Sequence, residues 1–344
     1  MIFMAIAVLL MPPVGLSMDY SAGRISVDGI EVIRLSDTRN ETEILIVPSI
    51  GNNAFEMKVK GKHILWSPYG SLREFRDKPV QLGNPLLAPW ANRIDGDTYW
   101  ANGRQYHLNP DLKNFRYDGN HNPIHGLLAY SSGWEVTSVR ADNESASVTS
   151  RLDFWRYPDW MAQFPFAHEI TMTYRLRNGQ LEVETSIENL STEPMPLSLG
   201  YHTYYRLDDS PRDDWRVHVA ARETVAVSRS LIPTGMTEPV NLADPQPLRD
   251  FNLDAGFVNL IRDAAGRAEF RVLGRKQKIS VLFGPKFDVA IVFAPPGRDF
   301  ICFEPMVGIT NAFNLAHAGL YKELQSIPPR GIWKESFWII PEGF

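Results

Sequence analysis

The sequence predicts an all-β protein in one domain, and three observations carry that prediction. Polar and apolar residues alternate along Glu182-Val183-Glu184-Thr185-Ser186-Ile187-Glu188 and along Arg216-Val217-His218-Val219, the period of a strand with one buried face. Apolar runs at Glu43-Ile44-Leu45-Ile46-Val47 and Val289-Ala290-Ile291-Val292-Phe293 suit strands buried on both faces. The 24 glycines and 25 prolines are spread along 344 residues, so interruptions come too often for long helices. No segment sustains the 3.6-residue apolar period of an amphipathic helix.

At the N-terminus no charged side chain precedes Asp19, and Ile2 to Met11 is an apolar run closed by Pro12-Pro13. That run falls short of the roughly 20 residues that span a bilayer. It has the length of a secretory h-region, with Gly15 and Ser17 small enough for cleavage after Ser17, although the usual basic n-region is missing. The expectation is a signal peptide over residues 1–17, export, and one domain over residues 18–344. If Met18 is the true start, the same domain stays in the cytoplasm.

Further along, Lys60-Gly61-Lys62 separates Phe55-Glu56-Met57-Lys58-Val59 from His63-Ile64-Leu65-Trp66, the pattern of a hairpin with a glycine turn. The proline-rich stretches Pro233 to Pro247 and Pro328-Pro329 read as surface loops of the same domain. No repeat, linker or shift in composition divides the chain.

Composition narrows the function. A hydrophobic share of 44% and a charged share of 22% are those of a soluble protein with a sizeable core. The formal net charge of −5 gives no basic footprint for nucleic acid or for an anionic membrane, which leaves a small neutral or polar molecule as partner. Cys302 is the single cysteine, so no intramolecular disulfide forms, and no Cys/His spacing for zinc is present. Flanked by Ile301 and Phe303, it reads as a small buried hydrophobe. The 18 Phe, 12 Tyr and 9 Trp suit a sugar site, where rings pack on the C–H face of a pyranose, but a β core uses the same residues.

Four segments place polar side chains beside turns and strand ends: Ala91-Asn92-Arg93-Ile94 with Tyr99, Gly103, Tyr106 and Leu108; Asn122-Pro123-Ile124-His125-Gly126; Gly200-Tyr201-His202-Thr203-Tyr204-Tyr205; and Phe303-Glu304-Pro305 with Ala312 and Asn314. Read by itself, a lone histidine among aromatics is more often structural, and Arg93 suits an ion pair. His125 before Gly126 suits a turn, and an aspartate such as Asp254 commonly caps one. Glu304 differs, because a carboxylate in the run Phe300-Ile301-Cys302-Phe303 is either paired or functional.

Taken together and in this order, the four segments resemble the aldose 1-epimerase (galactose mutarotase) family. The family's N-R-I…G-x-x-Y-x-L pattern falls on Asn92 to Leu108, and its H-G-G on His125-Gly126-Leu127. Its H-x-Y-F-N-L falls on His202 to Leu207, and its E-P-Q-T-x-x-P-D-A-x-N on Glu304 to Asn314. A weaker match puts the family's aspartate at Asp254, and Gly331-Ile332-Trp333 before Ile339-Ile340-Pro341 is similar to its last strand. The resemblance implies a large two-sheet antiparallel β sandwich with its site in an open cleft across one sheet. It also implies interconversion of the α and β anomers of a free aldose, a hexose such as glucose or galactose, without metal, nucleotide or other cofactor. Glu304 would be the base on the anomeric hydroxyl and His202 the acid at the ring oxygen, on opposite sides of the anomeric centre, while Arg93, His125, Asp254 and Asn92 would bind the sugar.

The departures bear on substrate. Leu127 replaces the second glycine, Arg206 stands where asparagine is usual, and Met306-Val307 replaces Gln-Thr. Phe164-Pro165-Phe166-Ala167-His168 is more similar to the hexose-6-phosphate mutarotase branch. A phosphosugar would need a cationic clamp, for which Arg206 or Arg212 is available. The rival readings are that branch, a non-catalytic carbohydrate-binding protein on the same scaffold, and a glycosidase, which would need a second firm carboxylate.

Overall fold

The computed structural model describes residues 19–344; the expected leader over residues 1–17 lies outside them. Strands dominate, and each α-helix is a single short segment of six residues: Leu72–Asp77, Pro158–Gln163 and Ala312–His317. The absence of helical periodicity therefore held at the level of the fold.

Two large antiparallel sheets form the body. One has nine strands, in the order Glu135–Ala141, Ala146–Asp153, His168–Arg177, Gln180–Asn189, Ile332–Glu342, Lys278–Phe283, Ala268–Leu273, Arg216–His218 and Gln246–Pro247. The other has eight. Pro233–Pro239 is at one edge, followed by Ala221–Val227, Leu253–Leu260, Val289–Ala294, Ile301–Met306, Gly200–Tyr201 and Leu86–Leu87; Thr203–Tyr205 also pairs with Ile301–Met306. A five-stranded meander from Tyr20–Val27 to Lys62–His63 is added at the N-terminal side. Its last hairpin turns at Lys60 and Gly61, both at positive φ (50° and 76°), as a two-residue turn of the favoured twist requires.

The proline-rich stretch expected as loop departs from that reading: Pro233–Pro239 is a strand and Gln246–Pro247 a short one. Both lie at sheet edges, where a residue without an N–H removes no ladder hydrogen bond. The Asn102-Gly103 turn (φ 51° and 73°) closes a hairpin that sets Tyr99 opposite Tyr106 with ring centroids 5.2 Å apart. This part of the sequence motif is scaffold.

The core lies between the two sheets. Phe257, Val292, Ile301 and Phe303 project into it from the eight-stranded sheet, and Phe270, Val281 and Phe337 from the nine-stranded one. Phe270 meets Phe303 at 6.1 Å. Because successive strand residues face opposite sides, Ile301 and Phe303 pointing inward forces Cys302, Glu304 and Met306 to the outer face. A carboxylate inside an apolar strand thus emerges on the side where the site is built.

Candidate active site

Glu304 is 1% exposed and His202 7%, with His202 Nε2 3.3 Å from Glu304 Oε1. His202 sits between Gly200–Tyr201 and Thr203–Tyr205, both paired to the strand that carries Glu304. Its backbone N–H donates to the Pro85 carbonyl at 3.1 Å. The next side chain, Thr203, donates to Asn84 Oδ1 at 2.5 Å, so the segment is fixed on both sides. The imidazole stacks on the Tyr204 ring (centroids 4.7 Å, 10°) and meets the His125 ring edge-on at 5.5 Å.

The sequence reading put acid and base on opposite sides of the anomeric centre; here they are side by side. The anomeric hydroxyl oxygen and the ring oxygen share one carbon, so adjacent groups can serve both. Glu304 Oε2, His202 Nδ1 and His125 Nδ1 are buried without a hydrogen-bond partner among the described residues. Buried polar atoms are ordinarily paired, and three such atoms on side chains in mutual contact mark the place of a polar ligand.

Asn92 and His125 both adopt left-handed backbone, with φ 56° and 65°, and His125 N–H donates to the Asn92 carbonyl at 2.9 Å. Gly126 follows at φ 63°, where an added Cβ would fall on the Ala88 carbonyl, so this turn needs its first glycine. Leu127 has no positive φ; it packs in the core, and its N–H donates to Ala88 O at 2.7 Å. Replacement of the second glycine therefore leaves the turn intact.

Arg93 donates from Nε to Asp118 Oδ2 at 2.6 Å and from Nη1 to Asn92 Oδ1 at 2.8 Å, leaving Nη2 without a partner among the described residues. Asn92 thus holds Arg93 through its side-chain oxygen. Asp118 is a residue the sequence reading missed. Its other oxygen accepts from the N–H groups of Asn120 and Asn122, and in sequence such a residue is indistinguishable from an ordinary turn aspartate. Asp254 lies on the outer face of Leu253–Leu260, opposite Phe293, which is in turn opposite Cys302. It is solvent-exposed, and the strand register sets it beside the Cys302–Glu304 face, while Asn92 joins Arg93 to His125 and the His125 ring meets His202.

Burial sets the electrostatics. The Glu304 carboxyl is held well above the ordinary carboxylate range by burial and then by the Asp254 charge, with Arg93 pulling the other way. Burial, with Arg116 and Arg93 adding repulsion, lowers His202 to about 3. His125 is pushed well down by burial, then by His202, Arg116 and Arg93. Arg116 is exposed and lies over the Tyr130 ring at 5.3 Å; the sequence reading missed this second cation beside the histidines. Although Asp254 keeps water-accessible surface, the protein packed around it desolvates its carboxyl and raises it, opposed by Arg93.

The two arginines offered as a phosphate clamp are committed elsewhere. Arg212 is 5% exposed, and its guanidinium donates to the carbonyls of Leu248, Phe251 and Ala294. Arg206 pairs with Asp208 at 2.9 Å and faces Asp299 at 3.8 Å. His168, buried against Phe154 and bonded to the Phe166 carbonyl at 2.7 Å, is structural. So is Asn314, which ties the helix Ala312–His317 to Thr98 O at 2.9 Å. Cys302 is fully buried; with His202 and Glu304 it forms a cluster whose donor atoms lie within 4.8 Å of one another, but proton transfer at a hemiacetal requires only the latter two.

The family model described as aldose 1-epimerase matches residues 33–329. The chain is 24% identical to the protein YihR of Escherichia coli K12 over 78% of its own length and 82% of that protein. It is 26% identical to human galactose mutarotase over 54% of its length and 53% of that protein. A galactose mutarotase-like protein from Clostridium acetobutylicum superimposes with a TM-score of 0.84 at 22% identity, covering 95% of this chain and all of that one. This last likeness establishes the all-β sandwich fold. The chain belongs to the aldose 1-epimerase family and is an isomerase of the mutarotase type, acting on a sugar.

Proposed function

We propose that the protein interconverts the anomers of a free, unphosphorylated aldose, a hexose such as glucose or galactose, by acid–base ring opening at Glu304 and His202. The observation that carries this reading is the 3.3 Å contact between their reactive atoms, with unpartnered polar atoms on both side chains. Burial leaves the pair's single proton on Glu304 at rest; once that proton passes to His202, Glu304 as carboxylate takes the proton of the anomeric hydroxyl while His202 gives one to the ring oxygen. The C1–O5 bond breaks, the aldehyde forms, and the pair still holds one proton. Rotation about C1–C2 presents the other carbonyl face, and closure returns the proton from Glu304 to the new anomeric oxygen as His202 recovers its own.

Nη2 of Arg93, Nδ1 of His125 and the Asp254 carboxylate hold the sugar hydroxyls, and Asn92 and Asp118 hold Arg93. The Arg93 charge favours the ionised Glu304 that the opening step needs. The commitment of Arg206 and Arg212 to protein partners favours the free sugar over the phosphosugar. A purely binding protein would have no use for a buried carboxylate and imidazole in contact, which favours the enzyme over that rival. Export with cleavage after Ser17 belongs to the same proposal, and N-terminal sequencing of the mature protein tests it. Exchange NMR between the α and β anomeric protons of a panel of aldoses tests the function and identifies the sugar; the reading requires enzyme-dependent exchange for a free aldose and is lost if only phosphosugars exchange.

A further inference from the structure

Cys302 is the chain's single cysteine, and ring opening leaves it without a task. It is fully buried in a cluster with Tyr204 and Phe300, with Phe293 packed against them. Strand pairing brings it to the catalytic pair. Thr203 lies opposite Phe303 and Tyr204 opposite Cys302, so His202 falls at the level of Glu304. Cys302 and Glu304, two residues apart on one strand, share its outer face. The result is a thiol, an imidazole and a carboxyl whose donor atoms all lie within 4.8 Å of one another, the one such cluster among the described residues.

Those distances are close to a coordination sphere. Zinc holds nitrogen and oxygen at about 2.0–2.1 Å and sulfur at about 2.3 Å in a tetrahedron, which sets the ligand atoms about 3.3–3.6 Å from one another. His202 Nε2 and Glu304 Oε1, 3.3 Å apart, already have that spacing. Cys302 Sγ has to close only from within 4.8 Å, a side-chain adjustment. Glu304 Oε2 is buried without a hydrogen-bond partner among the described residues, an acceptor that still lacks a donor or a cation. The donor set selects the ion, because thiolate with imidazole suits zinc and cobalt, whereas magnesium and calcium prefer oxygen ligands. Charge also balances. Binding expels the thiol proton and the one proton held by His202 and Glu304, so two anions and a neutral imidazole surround one dication. The filled site is neutral, as burial favours.

We propose that Cys302, His202 and Glu304 form an inhibitory site for a thiolate-seeking divalent ion, zinc above all, which occupies the catalytic pair and shuts out the sugar. Binding at the trio stands on its geometry; inhibition rests on the reading of His202 and Glu304 as the catalytic pair. Cobalt(II) added to chelator-treated protein tests the binding. Because the chain has no second cysteine, a thiolate-to-cobalt charge-transfer band in the near ultraviolet comes from Cys302 itself. The band should appear with the wild-type protein and vanish in Cys302→Ala; its absence from the wild type would overturn the proposal, whatever the variant's stability. Zinc titrated into the polarimetric assay tests the inhibition. Cys302→Ala should keep the zinc-free rate and need roughly 10-fold or more zinc for half-inhibition, since loss of an outer partner alone costs that much. Equal zinc sensitivity of the two proteins would overturn the inhibitory role. A protein that mutarotates no sugar strikes the catalytic reading, and the cobalt band then decides the metal site alone.

Discussion

His202 Nε2, between two short strands paired to the strand of Glu304, lies 3.3 Å from Glu304 Oε1, in an environment that pushes their pKa values toward each other's ordinary range. Burial raises the carboxyl and lowers the imidazole, so the pair keeps a single proton over a wide span of pH.

That sharing predicts the pH profile. Below the His202 pKa of about 3 the pair gains a second proton and has no base; above the raised Glu304 pKa it loses its only proton and has no acid. The rate should therefore be flat through pH 6.5, where an unperturbed imidazole titrates, with the alkaline limb set by Glu304. Polarimetric kcat/KM from pH 4 to 9 checks this, and a step near 6.5 would contradict it.

Removing the carboxylate separates activity from stability. Glu304→Gln should lower kcat by about 10²–10⁴-fold, the usual contribution of a general base. Sign follows from the direction of the shift. A carboxyl whose folded pKa is raised opposes folding once pH exceeds its unfolded pKa, so replacing it with a neutral amide should raise stability at pH 7. Urea denaturation of the two proteins measures the difference, and His202→Asn combined with Glu304→Gln should lose little beyond either alone.

Much of this arrangement was legible in the sequence, and the reason is local. Glu304 interrupts an apolar strand, and strand periodicity alone assigns it to the face opposite Phe303. The hairpin at Lys60-Gly61 followed from turn chemistry, and the C-terminal strand Ile332–Glu342 from the family resemblance. What was not legible is long-range. Asp118 reaches Arg93 across 25 positions, Arg116 gains meaning only beside two buried histidines, and Arg212 was offered as a clamp because sequence does not show the three carbonyls that surround it. The side-by-side placement of His202 and Glu304 likewise depends on strand pairing rather than on either motif.

Asp118 should act through Arg93. Asp118→Asn keeps the shape of the turn but weakens the ion pair at 2.6 Å, and Arg93 then loses its fixed direction. KM should rise about 10-fold, the equivalent of ~1.4 kcal/mol, with kcat changed by less. Steady-state kinetics on the preferred sugar separates the two constants, and a fall in kcat alone would count against a positioning role.

The turn at His125 gives a test of the altered motif. Leu127→Gly restores the family's second glycine, yet it should destabilise the protein by about 3–5 kcal/mol, because it empties a core position and frees the backbone, and it should not raise kcat. Thermal denaturation and turnover of this variant check both halves; a stable, faster enzyme would show that Leu127 impairs the site.

The central claim is that Glu304 and His202 catalyse ring opening of a free aldose. Polarimetry of freshly dissolved α-D-glucose and α-D-galactose, with the protein and with Glu304→Gln at equal concentration, tests it most directly. The account predicts accelerated decay to equilibrium rotation for at least one of the two sugars with the protein, and decay at close to the buffer rate with the variant. No acceleration with either sugar, or equal acceleration by the variant, would contradict it.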